Sequence, residues 1–203
     1  MDGFARRKEQ SKEEIRKAAW ELFSRFGVDK VSMMDIAHKA GVSQVTIYNN
    51  FGSKEALARE FVSVMVEMLE SRVQEIVAME GSYQDKMAAF FQFISAMMAG
   101  GRPSASGGAV FAGNAELQND PEIKEIRMKA QERMSALLLG LIDEGKRQGQ
   151  VNRKLSEEAL RIYFALFMEI FPNAEFQRQY ARHPNLVEEL GELMLYGLKG
   201  KQK

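Results

Sequence analysis

The chain of 203 residues contains no cysteine, which excludes disulfides and thiolate metal sites outright. It holds only two histidines, His38 and His183, each too isolated to nominate a metal site. No apolar run approaches the roughly 20 residues a membrane-spanning helix needs, and the N-terminus has no signal-type apolar segment. Cytoplasmic residence without a membrane partner is the default expectation. A Ser-His-Asp set and a nucleotide loop are missing too, so neither a catalytic residue nor a cofactor is expected. Charge of one sign is equally scarce: 28 Lys and Arg balance 28 Asp and Glu, a net of zero. That balance at first argues against a nucleic-acid binder. Its distribution softens the objection, because residues 1–54 hold ten basic and seven acidic side chains, +3, leaving −3 for the remainder. Arg6, Arg7 and Lys8 form a short basic arm ahead of the first apolar stripe, suited to phosphates or a minor groove, or else a solvated terminus.

What is present is helical periodicity from end to end, so the fold class is all-α. Ser11 with Glu14 makes a capping pair for a first helix whose Ile15, Ala18, Ala19, Leu22, Phe23 and Phe26 share one stripe, ended by Gly27. Ser53 opens a long helix with Leu57, Phe61, Val64, Met65, Met68, Leu69, Val73, Ile76 and Val77 at helical spacing. Ser82 with Asp85 starts another, through Phe90, Phe91, Ile94 and Met98. A loop follows from Gly100 to about Gly108, then a shorter helix from Val110 to Leu117. Asp120, with Pro121 in first position, caps a long helix reaching Gly145. Ser156 starts the most apolar helix, and a final helix begins near Pro184.

Residues Ser32 to Glu55, SMMDIAHKAGVSQVTIYNNFGSKE, are the most informative stretch. Ser32 and Asp35 cap a short helix whose Ile36, Ala37 and Ala40 form an apolar face. Gly41 supplies a tight turn, and Ser43 caps a second short helix. In that second helix Val42, Ile47 and Phe51 look inward. Gln44, Thr46, Tyr48, Asn49 and Asn50 are free to face out. A short helix carrying amides, hydroxyls and an aromatic, braced by an apolar partner, suits a major groove.

The motif resembles the DNA-binding domain of the TetR family of bacterial transcriptional regulators. The resemblance rests on Ile15, Ala18, Ala19, Leu22, Phe23 and Gly27, then on Ile36, Ala37, Gly41, Val42, Ser43, Thr46, Ile47, Tyr48, Phe51, Lys54, Glu55 and Leu57. Val45 departs from it, since many relatives carry glycine or alanine there. The resemblance implies an N-terminal three-helix helix-turn-helix domain, residues 1–53, and a C-terminal helical effector-binding and dimerisation domain, residues 54–203. Lys54, Ser43 and Tyr48 match phosphate-anchoring positions of relatives, and Ser32 could touch a phosphate from its cap. Gln44, Val45, Thr46 and Asn49 are the candidate base readers, with Asn50 suited to either task.

One such helix reads too few base pairs to single out a genomic site, so a homodimer on double-stranded palindromic DNA is expected. From Ile162 to Phe171 only Glu169 is charged, and a helix apolar on nearly all sides needs cover on nearly all sides. This helix and the final one, with Leu186, Val187, Leu190, Leu193, Met194 and Leu198, are expected to pack on their copies in a four-helix seam. Gly191 and Gly197 would permit close helix approach. Phe90, Phe93, Met97, Phe111, Met134, Phe164, Phe167, Met168 and Phe171 would converge around a pocket in the family fold, for a small apolar effector. Glu169 could bind a cation or join an interface ion pair. The resemblance implies a repressor released by that effector. A rival reading is a protein-interaction or nucleoid-associated module that kept the fold without site-specific reading.

Overall fold

The computed structural model describes residues 3–99, 117, 119–170, 174–183 and 185–199, less the side chains of 3, 4, 98, 99, 168, 169, 174, 177, 181 and 195–199. Among the described residues the regular structure is entirely helical: α1 (Gly3–Phe26), α2 (Met33–Ala40), α3 (Gln44–Phe51), α4 (Lys54–Ala78), α5 (Tyr83–Ala99), α6 (Pro121–Arg147), α7 (Glu157–Ile170), α8 (Ala174–Arg182) and α9 (Leu186–Lys199). The expected loop at Gly100–Gly108 and most of the Val110–Leu117 helix lie outside the described residues. The chain divides into two compact units, one within Met1–Met65 and Gly100–Ile126, the other within Val66–Ala99 and Arg127–Lys203.

In the first unit Ile15, Ala18, Ala19 and Phe23 of α1 are buried, as are Ile36 and Ala37 of α2, Ile47 of α3, and Leu57, Ala58, Phe61 and Val62 of α4. Phe61 meets Trp20 and Phe23 edge to face, with ring centroids 4.9 and 5.4 Å apart, a geometry that suits the ring quadrupoles. Helix α1 starts eight residues earlier than its expected cap at Ser11. The intervening Ala5, Arg6, Arg7, Lys8, Glu9 and Gln10 are mostly strong helix formers, so the helix propagates through them. Arg6, Arg7 and Lys8 therefore sit on helical turns rather than on a loose arm. Phe26, expected on the buried stripe, is 44% exposed beneath the Arg25 guanidinium.

The second unit is organised around one apolar cluster drawn from α4 to α9, including Val73, Ile76, Met87, Phe90, Phe91, Leu138, Ile142, Leu160, Phe164, Val187 and Met194. Helix α8 was not legible in the sequence. Among its described side chains the buried ones are Phe176 and Tyr180, one turn apart, and Tyr180 Oη donates to the Ser95 carbonyl at 3.2 Å. Gly191 does accept a close neighbour, but from its own subunit: a Cβ there would lie 2.7 Å from the Phe91 ring of α5. Along α4, Val64 and Met68 are exposed while Val62 and Val66 are buried, a rotation of the expected stripe. The sequence contained both apolar sets, and only the neighbours select between them.

Candidate nucleic-acid interface

The geometry of α2 and α3 follows from two local devices. Ser32 caps α2: its hydroxyl accepts from the Asp35 amide at 3.1 Å and donates to Asp35 Oδ2 at 2.6 Å, and the Ser32 amide donates to the same oxygen at 2.8 Å. These bonds from Ser32 hold the Asp35 carboxyl below its ordinary range, with smaller help from His38 and Lys54. Gly41 then adopts φ +68°, the left-handed conformation in which a Cβ is costly, and its amide returns to the end of α2. Ser43 caps α3 by accepting from the Thr46 amide at 3.1 Å.

Helix α3 is held at a fixed rotation by Ile47, which is fully buried. The Arg16 guanidinium lies 5.6 Å from the centroid of the Phe51 ring and is hydrogen-bonded to Glu60 at 3.0 Å. One side chain thus braces α1, α3 and α4. With Ile47 inward, the candidate readers Gln44, Val45 and Asn49 are exposed, as is Tyr48, expected as a phosphate anchor. Two others differ from expectation. Thr46 is half-buried, and its hydroxyl shares a 2.9 Å hydrogen bond with that of Ser43. Asn50 is also half-buried: its Nδ2 donates to the Thr46 carbonyl at 2.8 Å, while Oδ1 is enclosed without a partner among the described residues. An amide committed to its own helix is poorly placed to read a base. Ser32 and Ser43 are both occupied as caps, and Ser43 and Lys54 stand at the N-termini of α3 and α4, where helix dipoles favour anions. His38 is exposed on α2.

Of the residues expected around an effector, Phe90 and Phe164 are buried, and Phe93, Met97, Met134 and Phe167 pack against the same cluster. Phe91, outside the expected effector set, meets Phe167 edge to face at 5.8 Å. Phe111, Phe171 and the side chains of Met168 and Glu169 lie outside the described residues. Tyr83 was missed altogether. It is 2% exposed, its hydroxyl has no hydrogen-bond partner among the described residues, and burial pushes its pKa up. Nothing in sequence distinguishes it from an ordinary first-turn tyrosine. On α7, Ile162 (60%), Leu166 (63%) and Ile170 are exposed one turn apart, with Tyr163 beside them; Leu193 of α9 is 69% exposed.

Residues 15–61 match the family described as bacterial regulatory proteins, tetR family. An uncharacterised HTH-type transcriptional regulator of Bacillus subtilis (strain 168), YvdT, is 51% identical over 45 residues. That match covers 22% of this chain and spans only 23% of the relative's length. In fold the similarity is far longer. A TetR-family transcriptional regulator from Agrobacterium tumefaciens superposes with a TM-score of 0.71 at 19% identity, covering 95% of this chain and all of that one (100%). The reduced form of NemR from E. coli gives 0.69 at 16%, over 91% and 95% of the two chains. FadR from Bacillus subtilis, in complex with stearoyl-CoA, gives 0.60 at 20%, over 92% and 99%. Residues 15–61 thus carry the helix-turn-helix domain of the tetR family of bacterial regulatory proteins, and the chain shares the fold of TetR-family regulators along nearly its whole length.

Proposed function

We propose that the protein is a ligand-responsive, sequence-specific DNA-binding regulator: a homodimeric repressor released from a palindromic operator by a hydrophobic small molecule. The exposed arc of α3 carries this reading. Gln44, Val45, Tyr48 and Asn49 face solvent from a short helix whose rotation is fixed by Ile47 and whose N-terminus is capped by Ser43. Gln and Asn can each bond adenine through two atoms in the major groove, and Tyr48, Ser43 and Lys54 can anchor flanking phosphates. Residues 1–53 would supply this reading function and residues 54–203 effector binding and dimerisation.

The exposed ridge of Ile162, Leu166 and Ile170, with Leu193, supports a seam between two copies. The cluster holding Phe90, Phe93, Met97, Met134, Phe164 and Phe167 supports an apolar effector, with Phe111, Met168 and Phe171 completing the expected set. FadR's stearoyl-CoA has the corresponding chemistry. Helix α4 runs unbroken from Lys54 to Ala78, through residues of both units. An effector that displaces it would change the spacing of the two readers, and DNA binding would fall by the effector's differential affinity.

Selection of bound fragments from random double-stranded DNA, followed by footprinting, tests the reading. A discrete palindrome with half-sites about 34–36 Å apart, or a multiple of that, is expected. Uniform, salt-sensitive coverage would instead favour the nucleoid-associated module. Operator affinity with and without stearoyl-CoA, then other acyl and aromatic ligands, tests the switch.

A further inference from the structure

Residue 45 holds a valine where the helix needs none. Val45 is 66% exposed, so it contributes little to the core of its unit, and a β-branched side chain disfavours the helix it sits in. Successive residues turn by roughly 100° around a helix axis, so the exposed residues of α3 follow one another in the order Gln44, Tyr48, Val45, Asn49. The valine therefore occupies the middle of the exposed arc, between a phenol and an amide. It also lies in the first turn, the part of a reading helix that reaches base edges. The other candidates around it are partly withdrawn: Thr46 shares its hydroxyl with Ser43, and Asn50 is bonded to the Thr46 carbonyl. An apolar group at the centre of a polar reading surface has one apolar counterpart on a major-groove floor, the C5 methyl of thymine.

Resting on the reading of α3 as the DNA-contacting helix, we infer that Val45 sets a thymine requirement in each half-site by packing on that methyl group. Gln44 and Asn49 then read the pairs on either side through hydrogen bonds. The valine supplies discrimination that neither amide can, because an amide sees the base's heteroatoms and not its methyl. Removing one methyl from an apolar contact of this kind costs about fourfold in affinity per half-site, and roughly fifteenfold when both half-sites are altered.

The test starts from the palindrome enriched by selection with the full-length protein. Each thymine is replaced in turn by uracil, which deletes the methyl and leaves every hydrogen-bonding group in place. The expected result is one uracil-sensitive position per half-site, with that sensitivity abolished in Val45→Ala. An enriched palindrome with no uracil-sensitive thymine overturns the inference and leaves the DNA-binding reading intact. So does a uracil effect that persists in Val45→Ala, or a variant weakened equally on all sequences. Failure to enrich any palindrome overturns both. Alanine at an exposed helical site favours the helix, so the variant is expected to fold.

Discussion

Arg59 of α4 and Asp120 at the start of α6 are joined by two hydrogen bonds to a single carboxylate oxygen, from Nε at 2.9 Å and a terminal guanidinium nitrogen at 2.7 Å. The other oxygen of Asp120 accepts the backbone amides of Glu122 and Ile123, both at 3.0 Å. One carboxylate thus caps α6 and ties it to α4. Arg59, ahead of these backbone amides, holds the Asp120 carboxyl below its ordinary range. Since the folded-state pKa is depressed, the contribution is present above the unfolded value of about 3.9 and is lost as pH falls through the folded value. Asp120→Asn keeps a capping oxygen but not the charge. Its stability curve is expected to converge on wild type at low pH, measured by urea unfolding between pH 7 and pH 2.5.

The turn between α2 and α3 is set by backbone conformation rather than by space. Gly41 has φ +68°, and a Cβ there would meet nothing within 4 Å. Gly41→Ala is expected to cost about 1–2 kcal/mol through the left-handed backbone alone, and Gly41→Asn less. Ser43→Ala removes the cap of α3 and is expected to cost about 1 kcal/mol. Both are read from denaturant midpoints.

The Lys86 and Glu144 pair lies within the second unit, with Nζ 3.0 and 2.8 Å from the two carboxylate oxygens and the lysine 8% exposed. Glu144→Gln would leave a buried ammonium without its counter-charge. A loss of about 3 kcal/mol is expected, and a smaller one for Lys86→Met combined with Glu144→Leu, because neither charge is then stranded. A double-mutant cycle by chemical unfolding measures the difference.

Gly191→Ala introduces a methyl into a site whose nearest ring atom would be 2.7 Å away. Either Phe91 or the helix must shift, with an expected cost of about 1–3 kcal/mol. Restoring room with Phe91→Leu should recover part of the loss, measured by thermal unfolding.

If α7 forms the proposed seam, Leu166→Arg places two like charges in it by symmetry. Dimerisation is expected to weaken by roughly 100-fold or more without loss of helicity. Sedimentation equilibrium with circular dichroism would register both. A variant that remains a dimer at nanomolar concentration removes α7 from the seam.

The sequence alone determined the features that a handful of adjacent residues control. Ser32–Asp35, Ser43, Ser53, Ser82–Asp85, Asp120 and Ser156 all cap the helices they were expected to start, because each cap is a hydrogen bond spanning two or three residues. Gly41 takes the left-handed conformation for the same local reason, and the helix-turn-helix was legible from its spacing. Only the tertiary structure decided which of several apolar stripes is inside. It buried Val62 and Val66 in place of Val64 and Met68, turned Asn50 back onto Thr46, set Gly191 against Phe91, and anchored α8 by Phe176 and Tyr180. Burial depends on neighbours distant in the chain, and a periodic pattern with more apolar residues than one face can hold does not say which of them those neighbours will cover.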